Sequence, residues 1–133
     1  MTADRAKKLA KENFPCIMDN PFSDLSATVF RHSDSRKWFG LIMEVDSSKF
    51  GLFPERKLEV INLKCDPLEP RDKIAVFPAY HMNKKHWISV VLENISAKRL
   101  LFLMEISFEL TKKNSLPRRN PRRVFAYYVI KMF

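Results

Sequence analysis

The spacing of apolar residues changes along the chain from a helical period to a strand-like period and back. Residues 2–14 are rich in alanine, leucine and lysine and contain no proline, so they predict a short amphipathic helix that begins at Thr2 or Asp4. Residues 96–113 combine a good N-cap in Ser96 with apolar side chains at helical spacing and lysines in the last turn. This pattern predicts a second helix.

The region between these helices has a strand-like pattern. Four stretches carry β-branched and aromatic residues with partial alternation: 27–32, 37–45, 58–65 and 86–92. The short link 33–36 predicts a tight hairpin, and the segment 46–57 predicts a projecting loop. In the second stretch, strict alternation puts Phe39 on the same face as Leu41 and leaves Trp38 on the other face.

The segment between the third and fourth stretches offers Asp66 as an N-cap and Pro67 at the first helical position, which predicts a short, proline-limited helix. The predicted fold class is therefore α+β, an antiparallel sheet of four or more strands with N-terminal and C-terminal helices packed on it. We expect residues 1–113 to form a single domain. Residues 114–133 form a basic and then apolar extension, which could add to a sheet edge or pair two chains as a homodimer.

Cysteine usage and hydropathy indicate the expected compartment. Cys16 and Cys65 lie in no CxxC pair and no apolar signal segment precedes them, which favours free thiols in a reducing cytoplasm. The longest apolar runs fall far short of the roughly 20 residues that a membrane-spanning helix needs. We therefore expect a cytoplasmic protein without a membrane partner.

The net charge of +9 is concentrated at the C-terminal end. Seven basic residues and no acidic residue follow Leu110, which leaves a net charge of only +2 for residues 1–110. The arginine cluster of this segment can neutralise phosphates without reading sequence, but it can equally be a solvated extension. The cluster consists of Arg118, Arg119, Arg122 and Arg123.

The chain carries no recognisable catalytic motif. Paired carboxylates, a nucleophile beside a base and a glycine-rich phosphate cradle are all missing as motifs. Cys65, His81 and His86 are conceivable metal ligands, but the spacing of the histidines matches neither HExxH nor a zinc-finger pair. We expect a non-enzymatic protein with no metal and no cofactor, in which both histidines make structural hydrogen bonds.

The segment AYHMNKKHW, residues 79–87, is unusually dense in polar and aromatic residues. Tyr80 and Trp87 beside lysines are the pattern of a base-stacking surface, although a tryptophan that begins an apolar strand is more often half-buried. We expect Asn83 to fix the loop by side-chain to backbone hydrogen bonds. The two lysines of the segment would then point outward and contact phosphate.

Four segments of the chain resemble the MmcQ/YjbR family of small bacterial proteins. They are KWFGLIMEV, LEVINLKCDP, PAYHMNKKHWISVVL and LMEISFELTKK, within about residues 20–113. The family pattern has a Lys-Cys/Thr-x-Pro element, a Tyr/Arg-His-x-Asn-Lys-x-His-Trp element and a late Ser-Tyr pair. Here the late pair is Ser107-Phe108, which lacks the hydroxyl of the tyrosine. The resemblance implies a CyaY-like fold and DNA binding through a double-wing arrangement of hairpins.

Carried onto this sequence, the family pattern falls on 64–67 and 80–87 and implies a site for DNA, which we expect to be double-stranded, with the 46–57 loop as a wing. The candidate nucleic-acid-binding residues are Lys64, Tyr80, His81, Asn83, Lys84, Lys85, His86 and Trp87, together with Arg118, Arg119, Arg122 and Arg123. An alternative of another class is a protein-interaction or chaperone-like domain that uses the sheet face and the C-terminal strand. The nearly neutral charge of residues 1–110 favours this alternative.

Overall fold

The computed structural model describes residues 1–22, 26–66, 71–72 and 74–112. The elements in chain order are α1 (Ala3–Asn13), β1 (Cys16–Asp19), β2 (Thr28–His32), β3 (Trp38–Asp46), β4 (Lys57–Lys64), β5 (Val76–Pro78), β6 (Trp87–Val91) and α2 (Ala97–Leu110). All the strand pairs are antiparallel, and the sheet order is β1-β2-β3-β4-β6-β5. The predicted α+β class is confirmed.

The four strands that the sequence predicts are β2, β3, β4 and β6, and they are consecutive neighbours in the sheet. The two edge strands, β1 and β5, were not predicted, since strands of four and three residues are too short to show a period. The described part of the segment after Asp66 contains β5 and no helix, while residues 67–70 lie outside the described residues. The predicted helix is therefore absent wherever this segment is described.

Both predicted helix starts are confirmed. The Thr2 hydroxyl accepts a hydrogen bond from the Arg5 backbone N–H at 3.1 Å, and the Ser96 hydroxyl accepts one from the Arg99 backbone N–H at 3.2 Å. Helix α2 ends at Leu110, a few residues earlier than predicted. The predicted extension 114–133 lies outside the described residues, so its boundary remains a prediction.

The two helices cover one face of the sheet and enclose the main core. This core joins alanines of α1 to leucines and Met104 of α2 across apolar side chains of five strands. Its fully buried members include Ala6, Ala10, Phe30, Phe39, Ile61, Leu63, Ile88, Val90, Leu100 and Met104. We call the opposite side of the sheet the open face, because loops cover it in place of helices.

A β-bulge in β3 changes the faces that alternation predicts. Phe30 pairs with Gly40 whereas Arg31 pairs with Trp38, so Phe39 is an extra residue on β3. Phe39 therefore joins the core under the helices, and Trp38 packs with Leu41 on the open face. The prediction that Phe39 shares a face with Leu41 is wrong, because one inserted residue shifts the alternation on one side of the bulge.

Candidate functional site

The segment rich in polar residues forms the connection between β5 and β6, and we call residues 79–86 the basic loop. A buried polar network holds its first residues. The Asn62 side chain, fully buried on β4, donates to the Tyr80 carbonyl at 3.0 Å and accepts from the Ser89 hydroxyl at 2.5 Å. The Ser89 hydroxyl in turn accepts from the Tyr80 backbone N–H at 2.9 Å. The backbone of Tyr80 is thus fixed on both sides.

Asn83 closes the second half of the basic loop. Its side-chain oxygen accepts from the Lys85 backbone N–H at 2.9 Å, and its carbonyl accepts from the Trp87 backbone N–H at 2.9 Å. This is an Asx turn that leads directly into β6. The expected role of Asn83 in fixing the loop is confirmed.

Arg71 ties the middle of the basic loop to the end of β4. Its Nη2 atom donates to the carbonyls of Lys84 at 3.2 Å and Lys85 at 3.4 Å, and it lies 3.3 Å from the Cys65 sulfur. The Lys84 ammonium donates to the Ala79 carbonyl at 2.8 Å. Lys84 and Lys85 are both exposed, as expected, but Lys84 is folded back toward the start of the loop.

The two histidines of the basic loop differ from the prediction. His81 is exposed and has a φ of 65°, an unusual value for a residue with a side chain, and its ring lies 3.8 Å from the Tyr80 ring between centroids. His86 contributes its carbonyl, which accepts from the Cys65 backbone N–H at 2.8 Å. Neither ring is hydrogen-bonded to a described residue, so the expected structural hydrogen bonds of these side chains are not formed.

Two further residues of the family pattern lie side by side on neighbouring strands. Lys64 and Trp87 are cross-strand partners on β4 and β6, and both are half-buried. The half-buried state of Trp87 agrees with the structural interpretation of this residue. The arginines 118, 119, 122 and 123 lie outside the described residues.

The late Ser107-Phe108 pair is part of the core. The Ser107 hydroxyl is fully buried, donates to the Phe39 carbonyl at 2.5 Å and accepts from the Lys64 backbone N–H at 2.9 Å. It therefore bridges β3 and β4 beside the bulge. The Phe108 ring stacks on the His32 ring with 4.1 Å between centroids, so an apolar ring fits this position.

The conceivable metal ligands are not grouped. Cys65 is buried beside Arg71, and the described residues contain no cluster of three histidine, cysteine or carboxylate side chains that could hold a metal ion. None of the described helices is long and apolar enough to cross a membrane.

The loop between β3 and β4, predicted as a projecting wing, is partly folded onto the sheet. Phe50 packs on Phe77 with 4.9 Å between ring centroids, while Phe53 remains 72% exposed. Two of its basic side chains are ion-paired, Arg56 with Glu93 and Lys57 with Asp46. The loop thus projects only in its second half, and much of its positive charge is already neutralised.

The open face carries a groove that no pattern in the sequence indicates. It has a volume of about 770 Å³ and lies between the segment before β2 and the basic loop. Its lining includes Phe22, Trp38, Leu41, Met43, Tyr80 and Met82. The groove could not be predicted because the bulge is not visible in the sequence. Without the bulge, alternation places Trp38 on the face that the helices cover. We call this feature the open-face groove.

The chain is similar in sequence to a protein family and to individual bacterial proteins. The sequence profile of the YjbR family matches residues 9–110. The uncharacterized protein YyaQ of Bacillus subtilis is 37% identical over 118 residues, which cover 84% of this chain and 99% of YyaQ. The uncharacterized protein YbdF of Escherichia coli is 42% identical over 74 residues, 52% of this chain and 60% of YbdF.

Solved structures show the same fold. A crystal structure of a Pseudomonas syringae protein superposes with a TM-score of 0.77 at 37% identity and covers 84% of this chain and 100% of that chain. A Deinococcus radiodurans protein superposes with a TM-score of 0.61 at 23% identity, covering 92% of this chain and 87% of that chain, which supports the fold alone. Since the family profile spans most of the chain and YyaQ matches over nearly its whole length, the chain belongs to the YjbR family.

Proposed function

We propose that this protein is a non-enzymatic DNA-binding protein that contacts phosphate groups through the basic loop. The proposal rests on one observation. Lys84 and Lys85 are adjacent and exposed, and they lie on a loop whose backbone is fixed by hydrogen bonds at three places. A rigid loop loses little conformational entropy when it binds, so its charges are well placed for phosphate contact.

The charges around the basic loop support this proposal. No described carboxylate forms an ion pair with Lys84 or Lys85, and the guanidinium of Arg71 lies directly behind their carbonyls. Three cationic groups therefore occupy a short stretch of surface. Lys84 and Lys85 are both exposed, so their ammonium groups can contact a ligand on the outside of the β5–β6 connection.

The test is fluorescence-anisotropy binding of a labelled random-sequence duplex at about 50 and about 200 mM salt. A Lys84→Gln/Lys85→Gln variant should weaken binding and reduce the slope of log K against log salt by about 1.8, because each phosphate contact contributes about 0.9. A Lys8→Gln/Lys11→Gln variant is the matched control, since it removes two exposed lysines from α1.

A full-length variant with the four arginines of 118–123 changed to glutamine separates the domain from the extension. Binding that survives this change but weakens in the loop variant supports the proposal. Equal binding by the loop variant and the α1 control would refute it. Binding lost only with the arginines would assign DNA affinity to a nonspecific polycation.

A second candidate is a protein-interaction domain. Among the residues that the structure describes, two large apolar side chains are exposed, Phe53 by 72% and Ile74 by 65%. Their segments are tied to the same turn, because Arg56 is ion-paired with Glu93 and the Asn94 amide donates to the Ile74 carbonyl. An apolar patch here would bind a partner with little salt dependence, which distinguishes it from phosphate contact.

A further inference from the structure

We infer that the open-face groove binds a nucleobase of single-stranded nucleic acid. This inference rests on the proposed function for the phosphate contacts, and it adds a second binding surface that duplex DNA cannot occupy. In a duplex the faces of the bases are stacked on one another, so only an unpaired or extruded base can enter an aromatic groove.

The aromatic side chains of the groove come from both of its sides. Phe22 and Trp38 form an edge-to-face pair with 6.0 Å between centroids on the β2 side. Tyr80 and His81, 3.8 Å apart between centroids, line the groove from the basic loop. A base that enters between these pairs would meet aromatic rings on either side, with apolar β3 side chains beneath it.

Trp38 is held in place from behind. The guanidinium of Arg31 lies 5.5 Å from the centre of the Trp38 ring, and Arg31 is itself ion-paired with Asp19 at 3.1 Å. The Tyr80 backbone is fixed by the Asn62 and Ser89 network. The Trp38 ring and the Tyr80 backbone are therefore held in place before a base binds, which reduces the entropy lost on binding.

The groove adjoins the basic loop, whose exposed lysines Lys84 and Lys85 would contact the phosphates of a strand with a base in the groove. Lys49 lines the groove without an ion-pair partner among the described residues, and the Lys84 ammonium is bound to the carbonyl that precedes Tyr80. Of the two acidic lining residues, Asp46 is paired with Lys57 at 2.8 Å. The other acidic lining residue, Glu44, is the cross-strand partner of Glu59, whose carboxylate accepts a hydrogen bond from the Ala3 backbone N–H.

The decisive experiment uses the full-length protein and two labelled oligomers of about eight nucleotides, a length within the usual site size of single-strand binders. One is oligodeoxythymidylate, and the other is an abasic oligomer with the same number of phosphates. We expect the oligomer with bases to bind about tenfold more tightly, since stacking requires the base and phosphate contact does not. Equal affinities would overturn the inference, and would agree instead with a groove for apolar protein segments.

A variant test locates the effect. Trp38→Leu should remove most of the preference for the oligomer with bases, whereas Phe53→Leu, an exposed aromatic residue outside the groove lining, should keep it. A base preference unchanged in Trp38→Leu would overturn the assignment to this groove. Duplex binding without any base preference would refute only this inference, and failure to bind duplex and single strands alike would refute the proposed function as well.

Discussion

The buried network beneath the basic loop can be tested by replacing Asn62 with leucine. The two side chains have similar volume, so the change removes hydrogen bonds without opening a large cavity. Asn62 is fully buried and makes one hydrogen bond to the Tyr80 carbonyl and one to the Ser89 hydroxyl. The Ser89 hydroxyl is buried and the Tyr80 carbonyl is partly buried, and each would lose a hydrogen-bonding group.

The size of the effect follows from these unpaired groups. A buried polar group left without a partner costs about 1–3 kcal/mol, and Asn62→Leu leaves one buried and one partly buried group in this state. Part of this loss is offset by the added apolar surface, so we expect the free energy of unfolding to fall by roughly 2–4 kcal/mol. A Ser89→Ala change breaks the same network, and the two effects should therefore be less than additive by about 1 kcal/mol or more.

The assay is urea unfolding of the two single variants and the double variant, followed by tryptophan fluorescence and circular dichroism. With an m-value of about 2 kcal/mol/M, the predicted loss shifts the midpoint by about 1–2 M. Hydrogen exchange at the Tyr80 amide gives a local check, since this N–H donates to Ser89. A loss below about 0.5 kcal/mol, or additive effects of the two changes, would refute the view that these side chains form one network.

Three further predictions concern polar side chains that are hydrogen-bonded in the folded protein. Burial between aromatic rings lowers the pKa of His32. The free energy of unfolding should therefore be constant above about pH 6.5 and fall as the pH drops below it, because the unfolded chain then binds the proton. Urea unfolding at several pH values should show this fall in His86→Gln but not in His32→Gln. Burial opposes ionisation of Asp72, but hydrogen bonds from three backbone N–H groups and Arg99 outweigh it and hold the pKa of this carboxyl well below its usual value. Asp72→Asn should therefore lower the free energy of unfolding by about 1–3 kcal/mol near pH 7 and by less below about pH 3.8, where the unfolded carboxyl binds a proton first. Ser107→Ala should cost about 1–3 kcal/mol by leaving two buried backbone groups unpaired, whereas a change at exposed Ser33 should stay within about 0.5 kcal/mol in the same assay.

Local signals in the sequence were sufficient for the helices and the four central strands. The N-caps Thr2 and Ser96 act within one helical turn, and the apolar period of each long element is visible in consecutive residues. The edge strand β5 could not be found in this way. Its three residues are oriented by Asp72, whose carboxylate accepts hydrogen bonds from the backbone just before and within the strand.

The candidate site was predictable in composition but not in architecture. The lysines and Asn83 of the basic loop stand out in the sequence, whereas the groups that hold the loop come from separate strands. Asn62 and Ser89 are polar residues within two predicted apolar strands, and they are cross-strand partners. An uncharged polar residue inside each of two neighbouring strands is therefore the signal that could have indicated a buried network beneath the loop.

The position of Trp38 depends on a contact between residues that are distant in sequence. The Ser107 hydroxyl bonds the Phe39 carbonyl and the Lys64 backbone N–H, so helix α2 satisfies backbone groups of β3 and β4 beside the bulge. The bulge buries Phe39 under the helices and leaves Trp38 in the open-face groove. The same hydroxyl that locks the helix to the sheet thus also stabilises the arrangement that supplies an aromatic wall to the groove. Since a period of two cannot show a bulge fixed from 68 residues away, only the three-dimensional structure connects the late serine of the family pattern to the open-face groove on the opposite side of the sheet.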